Sequence, residues 1–134
     1  FRPSVWYYQD KNQIQAKNGL TYELCAGIMD KGLDAKATII EEIMEETGYS
    51  LNDVERVTSS FTALGFGANC QVLFYAQIDE SMKLGLGGGI DDEKIELVFI
   101  KRSEILDFIY DESKIKAPNL QFSILWWMIN KNPK

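Results

Sequence analysis

The sequence contains no histidine, and this absence removes a whole set of chemistries. Histidine is the side chain that titrates nearest to neutral pH, and it is also the commonest metal ligand. General acid–base catalysis by an imidazole and every histidine-ligated metal site are therefore excluded within these 134 residues. Any metal ion that binds here must use other ligands.

Cysteine, positive charge and long apolar runs are also scarce. The two cysteines, Cys25 and Cys70, follow no cysteine-rich pattern, so we expect reduced thiols in a cytoplasmic protein, with Cys25 as a small core residue. No apolar run approaches the roughly 20 residues of a membrane-spanning helix, so we expect no membrane partner. The net charge of −6 argues against nucleic acid as a partner.

What remains has the composition of an ordinary globular domain. The hydrophobic content of 46% and charged content of 25% suit one domain with a real core. Apolar and polar periodicity predicts both strands and helices, which favours a layered α/β fold. The predicted strands are 1–8, 20–26, 54–64, 70–78 and 93–101, and the predicted helices are 35–47, 103–110 and 120–130.

Two helices carry an apolar pattern that predicts which face is buried. In the helix over 35–47, Asp34 is suited to the N-cap and Gly48 to the position after the last turn. Ser103 is the predicted cap of the helix over 103–110. The residues at helical spacing are Ala37, Ile40, Ile43, Met44 and Thr47 in the helix over 35–47, and Phe122, Leu125, Trp126 and Ile129 in the C-terminal helix. We expect both sets to pack in the core, with a ligand pocket as the alternative for the C-terminal aromatics.

The helix over 35–47 carries four carboxylates in six positions, Glu41, Glu42, Glu45 and Glu46. Glu42 and Glu46 are one turn apart, and like charges at that spacing cost an isolated helix roughly 0.2–0.5 kcal/mol per pair. No lysine or arginine lies between Lys36 and Glu46 to offset them. A divalent cation such as Mg²⁺, which takes oxygen ligands, is one explanation. A solvated acidic face is the alternative.

The spacing around these glutamates resembles the Nudix box, G-x5-E-x7-R-E-U-x-E-E-x-G-U, in which U is a bulky apolar residue. The matching positions are Gly27, Glu42, Ile43, Glu45, Glu46, Gly48 and Tyr49. Two positions depart from the pattern, because Leu33 replaces its first glutamate and Glu41 replaces its arginine. In the family that pair mostly orients the metal-binding glutamates. The departures therefore bear on rate and metal affinity more than on fold.

The resemblance implies a fold, a cofactor and a set of ligands. Residues 1–134 would form one Nudix hydrolase domain, an α/β/α sandwich with a mixed β-sheet between helices. The cofactor would be Mg²⁺, with Mn²⁺ as an alternative. Glu42 and Glu46 would bind it directly, Glu45 would be a further or water-mediated ligand with a catalytic role, and the carbonyl of Ala26 would complete the shell.

A second informative stretch is the glycine-rich loop GLGGGIDDEKIEL that ends at Leu97. By the same resemblance, Glu93 matches a loop glutamate that acts as general base or as an additional metal ligand, and Glu96 is a weaker candidate. Gly88 and Gly89 give a backbone that can approach a substrate closely. The alternative is a flexible, solvated hairpin.

Segments outside the box are similar to the nucleoside-diphosphate-sugar branch of the superfamily. These segments are FRP at 1–3, TYELCAG at 21–27, ANCQVLFYAQI at 68–78 and the glycine-rich loop. The match is best to the UDP-sugar pyrophosphatases, with ADP-ribose pyrophosphatases as close relatives. Arg2 matches an arginine that contacts the substrate, although a surface strand residue is an equal alternative. Members are usually homodimers with an N-terminal β-subdomain upstream of FRP, which we expect this chain to lack.

The implied reaction is metal-assisted hydrolysis of a nucleoside diphosphate sugar, UDP-glucose before ADP-ribose. The products would be a nucleoside monophosphate and a sugar 1-phosphate. Two other classes stay open at this point. One is a catalytically inactive Nudix domain that binds nucleotide sugars, and the other is a protein-interaction module.

Overall fold

The computed structural model describes residues 20–89 and 95–131, which contain both helices and strands. The mixed α/β class is therefore confirmed. The chain divides into two compact units, a central unit of Cys25–Leu97 and a terminal unit of Phe1–Leu24 with Val98–Lys134. The predicted strand over 1–8 lies outside the described residues. No helix in the described ranges has the length and apolar character needed to cross a membrane.

The central unit is organised around helix α1 (Ala35–Glu42), which continues into a single π turn over Ile43–Thr47. Asp34 caps its start as predicted, since Oδ1 accepts a hydrogen bond of 2.8 Å from the amide of Ala37. Such a cap is worth about 1 kcal/mol. Gly48 ends the helix with a left-handed φ of 77°, also as predicted.

Strands β1 (Glu55–Thr62) and β2 (Asn69–Tyr75) form an antiparallel pair in the same unit. The register runs from Glu55 opposite Tyr75 to Thr62 opposite Asn69. The turn between the strands is closed by three amides, at positions 66, 67 and 68, that donate to the carbonyl of Ala63. These strands confirm the predictions over 54–64 and 70–78. β1 lies within its predicted range, whereas β2 begins one residue earlier and ends three residues earlier than predicted.

The terminal unit contains helices α2 (Ile105–Tyr110) and α3 (Pro118–Asn130). Phe108, Ile109 and Leu120 form its buried core. The ring of Tyr22 meets that of Phe108 edge-on at 5.2 Å between centroids. Pro118 occupies the first turn of α3, where its missing N–H costs nothing, so the helix begins two residues before the predicted start.

Two predicted strands are wrong within the described residues. In the segment over 20–26, Tyr22 makes a single parallel bridge to Lys116, and no ladder extends from it. Residues 95–101 of the predicted strand over 93–101 have no regular structure, and Phe99 is 72% exposed. The sequence pattern supplies strand propensity, but a strand also needs a neighbouring chain to pair with.

The predicted buried faces of the helices are also partly wrong. Met44, in the π turn, is exposed, whereas Thr38 in α1 is buried with its hydroxyl donating to the carbonyl of Asp34. In α3, the side packed on the core carries Leu120 and Ile124, whereas three members of the predicted set are exposed, namely Phe122, Leu125 and Ile129. Since α3 is apolar on several sides, periodicity alone cannot select its buried face.

The predicted serine cap is wrong as well. Residues Arg102–Glu104 form a 3₁₀ turn, and α2 begins after it without any side-chain cap. A serine inside such a turn is no longer at the helix boundary. The cap geometry that the sequence suggested is therefore not formed.

Candidate functional site

The candidate site lies within the central unit, on the acidic end of α1 and its π turn. Glu41 and Glu42 close α1, and Glu45 and Glu46 lie in the π turn that follows. π turns inside helices occur frequently at functional sites. The four carboxylates divide into two pairs with different surroundings, which we call the inner pair (Glu42 and Glu46) and the outer pair (Glu41 and Glu45).

The inner pair lies against the segment Cys25–Gly27, which leads into the helix. The side chain of Glu42 covers the α-carbon of Gly27 so closely that a β-carbon there would lie 2.5 Å from Oε1. The thiol of Cys25 forms a hydrogen bond with the carboxylate of Glu46. Ala26 lies between these two residues in the chain.

The surroundings of Cys25 keep its thiol protonated. Burial raises the pKa of the thiol, and the hydrogen bond to Glu46 with the negative charges of Glu46 and Glu42 raises it further. A neutral thiol is a hydrogen-bond donor and a poor nucleophile. Cys25, expected as a small core residue, is partly buried and lies beside the inner pair. Cys70 is an exposed free thiol, so the two cysteines are unpaired as expected.

The outer pair meets a lysine from the loop before the helix. Nζ of Lys31 lies 3.1 Å from Oε2 of Glu41 and 3.9 Å from Oε1 of Glu45. The hydrogen bond to Glu41 is the largest contribution that raises the pKa of Lys31. A cation next to the glutamates, which the helix sequence does not provide after Lys36, is thus supplied by a residue ten positions before Glu41.

The glycine-rich loop is tied to the end of the π turn by backbone hydrogen bonds. The amide of Gly88 donates to the carbonyl of Glu46 at 2.8 Å, and that of Gly89 donates to Glu45 at 3.2 Å. A β-carbon on Gly87 would lie 2.5 Å from the carbonyl oxygen of Glu46, so the close approach requires glycine. These bonds satisfy carbonyls that a helix end leaves without partners, and they hold the loop beside the carboxylates.

The donor set fits one kind of metal site. Within residues 20–89 and 95–131, no three side chains among aspartate, glutamate, histidine and cysteine are grouped as a metal cage. Mg²⁺ is usually bound by one or two carboxylates, with water and substrate phosphates in the remaining positions. The two carboxylates of the inner pair suit that arrangement. They do not suit a metal bound by protein ligands alone.

Several predicted site residues remain untested. Glu93 and Arg2 lie outside the described residues. The amides of Gly88 and Gly89 donate hydrogen bonds to the helix end, and the contact of these two residues with a substrate stays a prediction. The metal-binding roles of Ala26, Glu42, Glu45 and Glu46 also stay predictions. Glu96 is exposed and lies in a segment without regular structure.

Sequence reasoning missed Lys31 and the role of Cys25. Lys31 is not part of the helical pattern, and its contacts with the outer pair form only when the loop folds back on α1. The one available signal was the charge imbalance of the helix, which requires a cation from elsewhere in the fold or from solution. Cys25 gave no signal beyond its position two residues before Gly27.

Several proteins of known name are similar to most of this chain. A uridine diphosphate glucose pyrophosphatase of Bos taurus is 35% identical over 114 residues, covering 81% of this chain and 51% of the relative. A GDP-mannose pyrophosphatase of Cronobacter sakazakii is 36% identical over 107 residues, covering 80% and 52% respectively. A uridine diphosphate glucose pyrophosphatase of Mus musculus is 31% identical over 114 residues, covering 81% and 51%. The chain spans about half the length of these relatives, and no family model matches it.

Proposed function

We infer that the chain is a Nudix domain of a pyrophosphatase that hydrolyses nucleoside diphosphate sugars. The observation that carries this inference is the inner pair, Glu42 and Glu46, which converges on the segment Cys25–Gly27. The same residues stand in register with the Nudix box. Similarity to named sugar-nucleotide pyrophosphatases over about four-fifths of the chain supports the same conclusion.

The proposed cofactor is Mg²⁺, with Mn²⁺ as the alternative. Glu42, Glu46 and the carbonyl of Ala26 would hold it, and Glu45 would act as a further or water-mediated ligand. A divalent cation in such a site neutralises charge on the diphosphate and lowers the pKa of bound water. Because the carboxylates sit on a capped helix, their positions are set before the substrate arrives.

The proposed reaction transfers the phosphoryl group of a diphosphate to water. The water oxygen forms a bond to one phosphorus, and the bond from that phosphorus to the bridging oxygen breaks. Glu93 is the proposed general base that accepts the proton of the water, and Glu45 is a second candidate for this role. Arg2, Gly88 and Gly89 are the proposed contacts to the substrate. The products are a nucleoside monophosphate and a sugar 1-phosphate.

UDP-glucose is the proposed substrate, with ADP-ribose as the alternative. The relatives carry names for two different substrates, UDP-glucose and GDP-mannose. The chemistry that they share is a nucleoside diphosphate linked to a sugar. We propose the α/β/α Nudix sandwich for residues 1–134, and a cytoplasmic homodimer for the whole protein.

A catalytically inactive domain that binds nucleotide sugars is the second candidate. Leu33 and Glu41 favour it, because the Nudix box has a glutamate and an arginine at these two positions. The two candidates differ in one measurable respect. An inactive domain binds the sugar nucleotide without consuming it.

The test is a hydrolysis panel on UDP-glucose, GDP-mannose and ADP-ribose with and without Mg²⁺. Glu46→Gln should lower kcat/KM by at least about 100-fold, the size expected when a group that stabilises transition-state charge is removed. Glu112→Gln, an exposed carboxylate in the terminal unit, serves as the control and should keep the full rate. Equal turnover by Glu46→Gln would refute the assigned site. Saturable binding without turnover would support the inactive domain.

A further inference from the structure

The outer pair and the inner pair differ in what faces them. Lys31 forms a hydrogen-bonded ion pair with Glu41 at 3.1 Å and a longer ion pair with Glu45 at 3.9 Å, and the charge of Glu42 in the inner pair also raises its pKa. The inner carboxylates face the segment Cys25–Gly27. Glu45 and Glu46 are adjacent in sequence, yet their carboxylates are directed to different partners. The four carboxylates are therefore not one uniform acidic surface.

Lys31 reaches both outer carboxylates from outside the helix. Glu41 and Glu45 are four residues apart, which is the spacing at which like charges repel on a helix. The lysine nearest in sequence to these glutamates, Lys36, forms an ion pair with Asp53 instead. The side chain of Glu45 is 24% exposed, against 42% for Glu41, so the Lys31 contact to Glu45 is the less solvated of the two.

We propose that Lys31 is a positioning residue that holds Glu45 out of the inner ligand shell of the cation site. This inference rests on the proposed function, because it assigns the cation to the inner pair. With Glu45 paired to Lys31, the direct side-chain ligands are Glu42 and Glu46, and Glu45 acts through water. Two carboxylates leave positions open for substrate phosphates, which is the arrangement Mg²⁺ favours in phosphoryl-transfer sites.

A purely electrostatic role for Lys31 predicts something different. A positive charge near the site weakens cation binding, and its removal tightens binding whatever residue stands at position 45. A positioning role instead makes the contribution of Glu45 depend on Lys31. The two roles therefore differ in the coupling between the two side chains, which a double-mutant cycle measures directly.

The experiment is a cycle of Mn²⁺ dissociation constants, measured from the electron paramagnetic resonance signal of free Mn²⁺. The four proteins are unaltered, Glu45→Gln, Lys31→Met and the double variant. In the presence of Lys31, where Glu45 acts through water, Glu45→Gln should weaken binding by the smaller factor. In the Lys31→Met background, where Glu45 can enter the shell, the same substitution should weaken binding by a factor about tenfold larger, and this ratio is the coupling that the cycle measures.

Two further variants act as controls. Lys36→Met removes a lysine whose partner is Asp53, and Glu45→Gln should have the same effect in that background as in the unaltered protein. Lys31→Arg keeps the charge and should behave as the unaltered protein. Melting temperatures without metal show whether each variant is folded.

The outcomes separate this inference from the proposed function. If Glu45→Gln weakens Mn²⁺ binding equally in both backgrounds, Lys31 does not position Glu45 and the inference is overturned. If the unaltered protein binds no Mn²⁺, the cation site and the role of Lys31 both fall. If the cycle shows the coupling but the hydrolysis panel shows no turnover, the proposed enzyme activity fails while the role of Lys31 stands.

Discussion

Gly27→Ala should act first on the proposed metal ligand, because the three atoms nearest to a β-carbon at Gly27 all belong to Glu42. The new β-carbon would lie 2.5 Å from Oε1 and 2.6 Å from Cδ of Glu42. Ordinary contact begins near 3.4 Å and Cγ of Glu42 lies closer still than Oε1, so the side chain of Glu42 must retreat by at least roughly 0.9 Å, a displacement of the size that can cost about 100-fold in rate. We therefore expect kcat/KM to fall by about 100-fold, which corresponds to about 2.7 kcal/mol of transition-state stabilisation.

The same substitution should leave the fold nearly unchanged. The backbone of Gly27 does not have the left-handed φ that makes alanine strained, and the atoms that must move, from Cγ to the carboxylate, belong to one side chain, that of Glu42. The free energy of unfolding should therefore fall by no more than about 1–3 kcal/mol, the cost typical of overpacking. Chemical denaturation and kcat/KM are the two measurements.

Gly65→Ala is the matched control, since a β-carbon at Gly65 meets nothing within 4 Å. It should change neither activity nor stability. Full activity of Gly27→Ala would refute the placement of Glu42 in the site. A stability loss of several kcal/mol would instead show that the contact is structural.

Three other predictions concern stability. Gly48→Ala should lower the free energy of unfolding by about 1–3 kcal/mol, because alanine is strained at φ 77° and its β-carbon would lie 2.6 Å from the carbonyl carbon of Gly85. An unchanged midpoint of chemical denaturation would contradict this prediction. Asp34→Ala should cost about 1 kcal/mol by losing the cap on α1, whereas Asp34→Asn, which keeps a capping oxygen, should cost less. The ion pair with Lys114 lowers the pKa of Asp111. The stabilising effect of this ion pair should therefore be present above the ordinary carboxyl pKa near 4 and be lost as pH falls toward the lowered pKa. Asp111→Asn should remove this pH dependence from a plot of melting temperature against pH.

The acidic helix was predictable because its signals are local. Asp34 and Gly48 mark its ends by their own chemistry, and the spacing of Glu42 and Glu46 places both on one side of it. Strands β1 and β2 were predictable for a similar reason. They are neighbours in sequence, and a short turn brings them together.

The failures occur where a distant contact decides the outcome. The segment over 20–26 and residues 95–101 have apolar residues typical of strands, but pairing depends on which chain lies beside them. The buried side of α3 is fixed by Phe108 and Ile109, which no pattern within α3 can reveal. Lys31 is the same case at the candidate site, since its partners lie ten and fourteen residues away.

The division of the four glutamates into an inner and an outer pair is tested most directly by Mn²⁺ binding to three single variants. Glu42→Gln and Glu46→Gln should each weaken the dissociation constant by at least about tenfold. Glu41→Gln removes the same charge from the outer pair and should change it by less than about twofold. Equal weakening by all three substitutions would describe a diffuse acidic surface and would contradict a metal site built on Glu42 and Glu46.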